Sequence, residues 1–412
     1  MPASAARFAI DVRPLRSGQY RLLFGAQVIT TFGSMLSLVA LPYQAYLVSH
    51  SSLAVGLLGV AEFLPVLALP FVGGALADAV DRRRIAQLGE LAFAVATFAL
   101  AVNAFAHPPR LWPLYAIAAL TAGFDALQRP ALDALVPRLV EREQLPAAAA
   151  LSSLRWTVLG IAGPAVAGVV IAALGFAAVY AIDAATFLVS AALLSFLRPV
   201  TPAEAKPATI SRSLEGVRYA LGRRDLLGTY LVDFIAMVFG MPYALFPALA
   251  TQYGGAAVAG ALFAAPALGA TLVAATSGWT ARVRRQGRAI VLAAIVWGIA
   301  IVALGLAHVL PLALFALVVA GAADSVSGIF RSTIWNQTIP DELRGRLAGI
   351  EYAGYASGPV LGNVEAGAVA AVFGTRVSVI SGGVLCIAGV ALAAWTLPEL
   401  WRYERQDAEP SG

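Results

Sequence analysis

The chain reads as an all-α membrane protein in which twelve transmembrane helices form two pseudo-symmetric six-helix bundles. Three observations carry that expectation: composition, a succession of apolar runs of spanning length, and an internal repeat. Of 412 residues, 60% are hydrophobic and only 12% charged, roughly half the charge of an average soluble protein. The mean hydropathy is +0.80. A soluble fold this apolar could not cover its own surface, and the charges present cluster between apolar runs, which is the pattern of loops between membrane spans.

A hydrocarbon core about 30 Å thick needs roughly twenty helical residues at about 1.5 Å each. Charge and Pro/Gly breaks delimit runs of that length at 22–48, 54–77, 85–106, 111–136, 148–173, 176–197, 225–251, 256–281, 289–310, 311–336, 347–372 and 376–398. The first is longer than a signal-peptide core and carries no cleavage signature, so it is expected to remain as a helix. Basic residues fall mainly on one side: Arg7, Arg13, Arg16 and Arg21, then Arg82 to Arg84, Arg138 with Arg142, Arg282 to Arg288, and Arg344 with Arg346; the other side has only Arg110 and Arg376. The positive-inside rule then puts both termini in the cytoplasm, which requires an even number of spans.

The longest hydrophilic stretch divides the chain near its middle. The expected organisation is a cytoplasmic tail over 1–21, a first bundle over 22–197, a cytoplasmic linker over 198–224, a second bundle over 225–398 and a tail over 399–412. In the linker Leu214, Val217 and Leu221 recur at helical spacing opposite Glu215, Arg218 and Arg223, predicting a short amphipathic helix on the inner membrane face. The halves match. Ala122-Gly123-Phe124-Asp125 leads to Arg129 and Pro137, as Ala320-Gly321-Ala322-Ala323-Asp324 leads to Arg331 and Pro340; Gly163-Pro164 is answered by Gly358-Pro359. These marks lie about 195 to 204 residues apart in one order, so the halves are parallel repeats about an axis along the membrane normal.

Several chemistries are excluded. The net charge of +5 sits in short loops without interleaved aromatics, so nucleic acid is not an expected partner. Of 28 basic residues only Lys206 is lysine, between Ala205 and Pro207, so there is no Walker A loop. Cys386 is alone, and His50, His107 and His308 are scattered, so neither a metal nor a cofactor is expected. No serine sits in a Gly-x-Ser-x-Gly elbow, which argues against a hydrolase. The arginine bias with heavy Ala and Gly use suggests a GC-rich bacterial genome and hence a bacterial inner membrane.

Ionisable groups at membrane depth carry the remaining signal: Glu62, Glu90, Asp125, Arg129, Asp133, Arg155, Asp183, Asp233, Asp324, Arg331, Glu351 and Glu365. At roughly 3 kcal/mol each in lipid they cannot face the hydrocarbon. Asp125, Arg129 and Asp133 follow an i, i+4, i+8 spacing that puts acid, base and acid on one helix face, with Asp324 and Arg331 on the related helix. A static brace and a gating or substrate role are both open for this network. Glu62, with Pro65 and Pro70 below it and no basic neighbour in sequence, and Asp233 are the candidates for carrying a proton, able to hold one when buried and release it when exposed. A hydrogen-bonded structural carboxyl is the competing reading of each.

The segment Gly73-Gly74-Ala75-Leu76-Ala77-Asp78-Ala79-Val80-Asp81-Arg82-Arg83-Arg84 resembles the loop signature of the major facilitator superfamily, keeping Gly74, Leu76, Ala77, Asp78 and Arg82 but departing at Ala79 and Asp81. Physically, Gly74 allows close helix approach, Asp78 can accept from a facing helix N-terminus and Arg82 can pair with a carboxylate, Asp133 being a candidate. The resemblance implies a latch between the halves. Gly160 to Gly168, centred on Gly163-Pro164, is similar to the Gly-Pro pattern of the exporting branches, with a kinked packing helix as the alternative. Gln128-Arg129-Pro130-Ala131-Leu132, Pro137-Arg138-Leu139-Val140, Met241-Pro242-Tyr243 with Phe246-Pro247, and Pro340 to Arg346 together look like the enterobactin-exporter and macrolide-efflux group of drug/proton antiporters.

That resemblance implies a monomeric secondary transporter that exports a small amphipathic molecule against protons, by alternating access. It also implies a cavity lined by the first, fourth, seventh and tenth helices, where Gln27, Thr30, Tyr43, Phe234, Tyr243 and Phe246 could contact substrate. Core packing is the other reading of each. Uptake by the same fold, a polytopic membrane enzyme and a transport-dead sensor are the alternatives.

Overall fold

The computed structural model of the chain describes residues 11–69, 76, 80–106, 108–199, 222–339 and 341–404, with backbone alone for 341–356. The described helices are α1 (Gly18–Ser49), α2 (Ser52–Ala68), α3 (Arg82–Phe105), α4 (Trp112–Leu139), α5 (Leu145–Ser195), α6 (Arg224–Gly240), α7 (Phe246–Tyr253), α8 (Ala256–Ala275), α9 (Gln286–Leu306), α10 (Leu310–Thr338), α11 (Asp341–Phe373), α12 (Thr375–Thr396) and α13 (Pro398–Arg402).

The twelve spans map onto these helices with two irregularities, each with a local cause. α5 holds the fifth and sixth spans: its helical dihedrals break at Gly175, where φ is 79°, a conformation that glycine adopts without a Cβ penalty. The seventh span is split, α6 ending before Met241-Pro242 and α7 resuming after a 3₁₀ turn over Tyr243–Leu245. Eight of the described helical stretches are long and apolar enough to cross a bilayer. α2 is apolar but shorter, and α4 carries Asp125, Arg129 and Asp133 in its interior. The linker helix expected around Leu214, both terminal tails beyond residues 11 and 404, and Gly74 and Asp78 lie outside the described residues.

By contacts the chain forms two compact units, Met1–Val48 with Ala61–Lys206, and Ser49–Val60 with Pro207–Gly412. This division differs from the topological bundle boundary over 49–60, because the start of α2 packs on α11: a Cβ on Gly56 would lie 2.4 Å from the Asn363 carbonyl oxygen, and one on Gly367 2.7 Å from that of Ser52. Glycine at both points lets two backbones meet where any side chain would hold them apart.

In the first unit, α5 folds back along α1. Contacts climb α1 from Gln27 to Met35 to Tyr43 as α5 passes Arg155, Gly163 and Phe176. They descend again through Gln44, Ser37 and Gly33 as α5 passes Tyr180, Asp183 and Thr186. The reversal falls at Gly175. One end of this unit is closed by an apolar cluster of Leu23, Ala26, Ala86, Leu135, Leu194 and Leu197. In the second unit α10 packs between α8 and α9, and α6 packs on α11 and α12.

The Gly-Pro marks of the repeat occupy matching places. A Cβ on Gly163 would sit 2.3 Å from the Cβ of Met35 on α1, and one on Gly358 2.9 Å from the Cβ of Met237 on α6. In each unit the glycine is therefore the point where the fifth helix of the repeat touches the first. Pro164 lies inside α5 without breaking its helical dihedrals, the interruption being at Gly175.

Candidate functional site

The first unit spreads its described charges over several helices. On α4 the Arg129 Nε lies 3.2 Å from Asp125 Oδ2, with both side chains about half exposed. Asp133, two turns from Asp125, is exposed and forms no ion pair among the described residues. Arg82, the first residue of α3, donates to the Ala134 carbonyl at 3.5 Å, one residue beyond Asp133. Asp81, where the loop departs from the superfamily signature, caps α3: its carboxylate accepts from the Arg83 N–H at 3.0 Å, satisfying one of the free donors of the first turn. Arg83 in turn donates to the Ser195 carbonyl at the end of α5, at 2.8 Å.

Two carboxyls in this unit are deeply buried. Asp183 accepts from Ser37, and Glu90 accepts from Gln128, whose amide also donates to the Ala86 carbonyl at 2.9 Å. Glu62 lies half-buried on α2, three residues before Pro65, with no hydrogen bond to its carboxyl among the described residues. Arg155, 9% exposed, donates to Gln27 and, at 3.3 Å, to Ser152.

The second unit brings three of its charged residues from the membrane depth together at one place. Arg331 of α10 is 3% exposed and ion-paired with Asp233 of α6, and its other terminal nitrogen lies 3.9 Å from Asp324. Asp324 is itself 59% exposed. The three border a cavity of about 310 Å³, lined also by Met237, Met241, Trp297, Ser325, Ser327 and Gly328. That volume is at the lower end of small-molecule pockets.

The split of the seventh span borders this cavity, and it is chemically repaired from within the unit. Trp297 Nε1 donates to the Gly240 carbonyl at 2.8 Å, and the Ala244 N–H donates to Asn363 Oδ1 at 2.9 Å. A break at membrane depth is tolerated where the freed backbone groups find such partners, and interrupted helices commonly form the binding sites of transporters. Nearby, Trp335 Nε1 donates to Thr229 Oγ1 at 2.8 Å and stacks on Tyr230, fixing α10 against α6 one turn from the ion pair.

The sequence expectations separate accordingly. Asp233, Asp324 and Arg331 come together, whereas Asp125, Arg129 and Asp133 line one exposed face of α4 and Glu62 stands apart on α2. The partner of Asp233 comes from a distant helix, α10. Gln27 binds Arg155, and the Thr30 hydroxyl donates back to the Ala26 carbonyl of its own helix at 3.2 Å. Tyr43 and Phe246 are 4% and 0% exposed: Tyr43 packs on Phe176, and Phe246 forms an aromatic cluster with Tyr243 and Phe263. Both side chains are thus enclosed in the packing of their own unit. Phe234 and Tyr243 are partly buried but do not border the cavity.

Met237, Met241 and Trp297 were missed as lining residues. The proline after Met241 marks the break beside them, and the repeat relates Gly358 and Gly163, the glycines that contact Met237 and Met35, but nothing local distinguishes Trp297 from a core tryptophan.

Comparison with known proteins agrees with this architecture. The chain is 30% identical over 400 residues to the enterobactin exporter EntS of Citrobacter koseri, covering 95% of each protein. It is 30% identical over 393 residues to the enterobactin exporter EntS of Shigella boydii, covering 94% of this chain and 93% of the relative. Among solved structures it resembles a POT peptide transporter with a TM-score of 0.74 at 12% identity, over 94% of this chain and 96% of that one. It also resembles a bacterial homologue of the human lysosomal transporter Spinster, with a TM-score of 0.70 at 14% identity, over 94% of this chain and 99% of that one. Residues 9–411 match the model of the transmembrane secretion effector family, MFS_3. The chain is a multi-pass membrane protein of the major facilitator fold, a secondary transporter and not an enzyme, and it belongs to the transmembrane secretion effector family.

Proposed function

We propose that this transporter exports a small amphipathic molecule of the drug, macrolide or siderophore type in exchange for protons. Transport runs across a bacterial inner membrane, with both termini cytoplasmic and the chain acting as a monomer in the bilayer. Full-length similarity to two enterobactin exporters supports a siderophore-type cargo. The excess of arginine in alternate loops supports the orientation.

The observation that carries proton coupling is the grouping of Asp233, Arg331 and Asp324 on one cavity. Two carboxylates and one guanidinium leave a net negative charge, which a proton or a cationic group can neutralise. Protonating Asp233 frees the guanidinium to turn to Asp324, and loss of that proton draws it back, so the ion pair can report protonation through a movement of α10 against α6. Glu62, without a hydrogen-bond partner among the described residues, is the second candidate carrier in the first unit. Gly163 with Pro164, and the loop motif of Gly74, Asp78 and Arg82, would serve as the gating elements.

The test is uptake of substrate into inverted vesicles with an acidified lumen, where an exporter concentrates substrate inside. Asp233→Asn and Asp324→Asn are each expected to reduce proton-driven accumulation at least tenfold while retaining substrate binding, and Glu62→Gln to reduce it less. Unchanged proton-driven transport in all three would remove these carboxyls from the coupling scheme.

A further inference from the structure

The buried arginine of the first unit has no counterpart to the carboxylates that surround Arg331. Arg155 of α5 is 9% exposed, and among the described residues no carboxylate lies within ion-pair distance of its guanidinium. Its acceptors are neutral: the Gln27 amide oxygen of α1, and the Ser152 hydroxyl at 3.3 Å one turn back on α5. Its Nε is buried without a hydrogen-bond partner, and the indole of Trp156 lies 5.6 Å from its central carbon. The titratable groups that act on it through space are the Tyr20 phenol of α1 and, on α4, Arg129 and Asp133.

A buried cation is retained at low cost only when it is paired, and guanidinium presents a planar fork that matches a carboxylate or a phosphate. Here the fork is held ready by an amide that a charged oxygen can displace, and one of its donors is still unused. The neighbouring groups Gln27 and Ser152 are only partly buried and Asp133 is exposed, so the residues around the guanidinium are not sealed in the core.

We infer that Arg155, with Gln27 as its resting partner, is an anion-binding site of the first unit that recognises an acidic oxygen group on an amphipathic substrate. The inference rests on the export reading only for the claim that this substrate is the cargo. The two buried arginines then differ in role: Arg331 of the second unit is grouped with two carboxylates, and Arg155 of the first is held by neutral partners.

The test uses the purified full chain in zwitterionic micelles and a matched pair of probes, 4-phenylbutyrate and its neutral amide, followed by tryptophan fluorescence and by thermal unfolding. Phenylbutyrate should bind saturably and at least tenfold more tightly than the amide, with the fluorescence change lost in Trp156→Phe and the thermal stabilisation kept. Arg155→Gln should abolish the preference for the acid and Arg155→Lys should retain part of it. Gln27→Glu keeps the arginine but supplies an internal carboxylate. It should raise the unfolding temperature and weaken phenylbutyrate at least tenfold, and it settles the matter even where Arg155→Gln does not fold.

Equal binding of acid and amide, or undiminished binding in Gln27→Glu, would overturn the site. Added phosphatidylglycerol should leave the phenylbutyrate affinity unchanged; competition by it would assign the guanidinium to a lipid headgroup and overturn the substrate assignment. A chain that shows this binding pattern but no proton-driven outward flux would sink the export reading while leaving the anion site in place.

Discussion

α4 and α10 occupy equivalent places in the two halves of the repeat, yet they handle charge in opposite ways. On α4, Asp125 and Arg129 are one turn apart, bonded to each other and about half exposed. On α10, Asp324 and Arg331 are seven residues apart, which is two turns along one face, and the arginine is turned inward to Asp233 of another helix. The glycines that precede them differ in the same sense. A Cβ on Gly123 of α4 would meet the tip of Leu69 at 3.2 Å, whereas one on Gly321 of α10 would lie 1.9 Å from the Pro266 backbone oxygen of α8. Close backbone packing thus accompanies the buried, cross-helix pair, and looser packing the local one. Charge at membrane depth forms a cross-helix pair where helices are pressed together, and stays a surface pair where they are not.

The largest effect that would break this comparison is expected for Arg331→Gln. Removing the cation leaves Asp233, 14% exposed, without its partner, and breaking a buried pair from one side costs about 3–5 kcal/mol. The purified variant should unfold at a clearly lower temperature, and Asp233→Asn in the same background should restore most of the loss. A variant as stable as the parent would mean that the pair is not a buried one.

Gly321→Val comes next. With backbone in the way the helices must separate, at about 1–3 kcal/mol for an overpacked contact. Gly123→Ala on α4 meets only a flexible side chain, so its destabilisation should be much smaller. Thermal unfolding of the two variants side by side sharpens the contrast, and equal losses would dissolve it.

The smallest effect is expected for Arg129→Gln. An exposed i, i+4 pair contributes on the order of 0.5 kcal/mol or less, so the unfolding temperature should barely move. A loss as large as that of Arg331→Gln would show that the α4 face is shielded.

Much of the fold was legible because it depends on transfer free energy summed along the chain. Every apolar run found a helix, and Gly175 fell between the fifth and sixth spans where the sequence divides them. The Met241-Pro242 break was visible as a pattern, but its tolerance depends on Trp297 and Asn363, residues that no window around the proline contains. At the site, the types and depths of Asp233, Asp324 and Arg331 were readable, while their grouping was not.

Sequence by itself determined the number of spans, the repeat, the helix-face spacing of Asp125, Arg129 and Asp133, and the list of charges that must avoid lipid. Each follows from residues within a few turns of one another or from a comparison of the chain with itself. Tertiary structure alone decided the partners: Asp233 with Arg331, Arg155 with Gln27, Phe246 closed in an aromatic core. Helical periodicity fixes only which face a side chain occupies. Which helix it meets there depends on where backbones can approach, as at Gly163, Gly321 and Gly358, and on which buried polar groups would otherwise go unsatisfied.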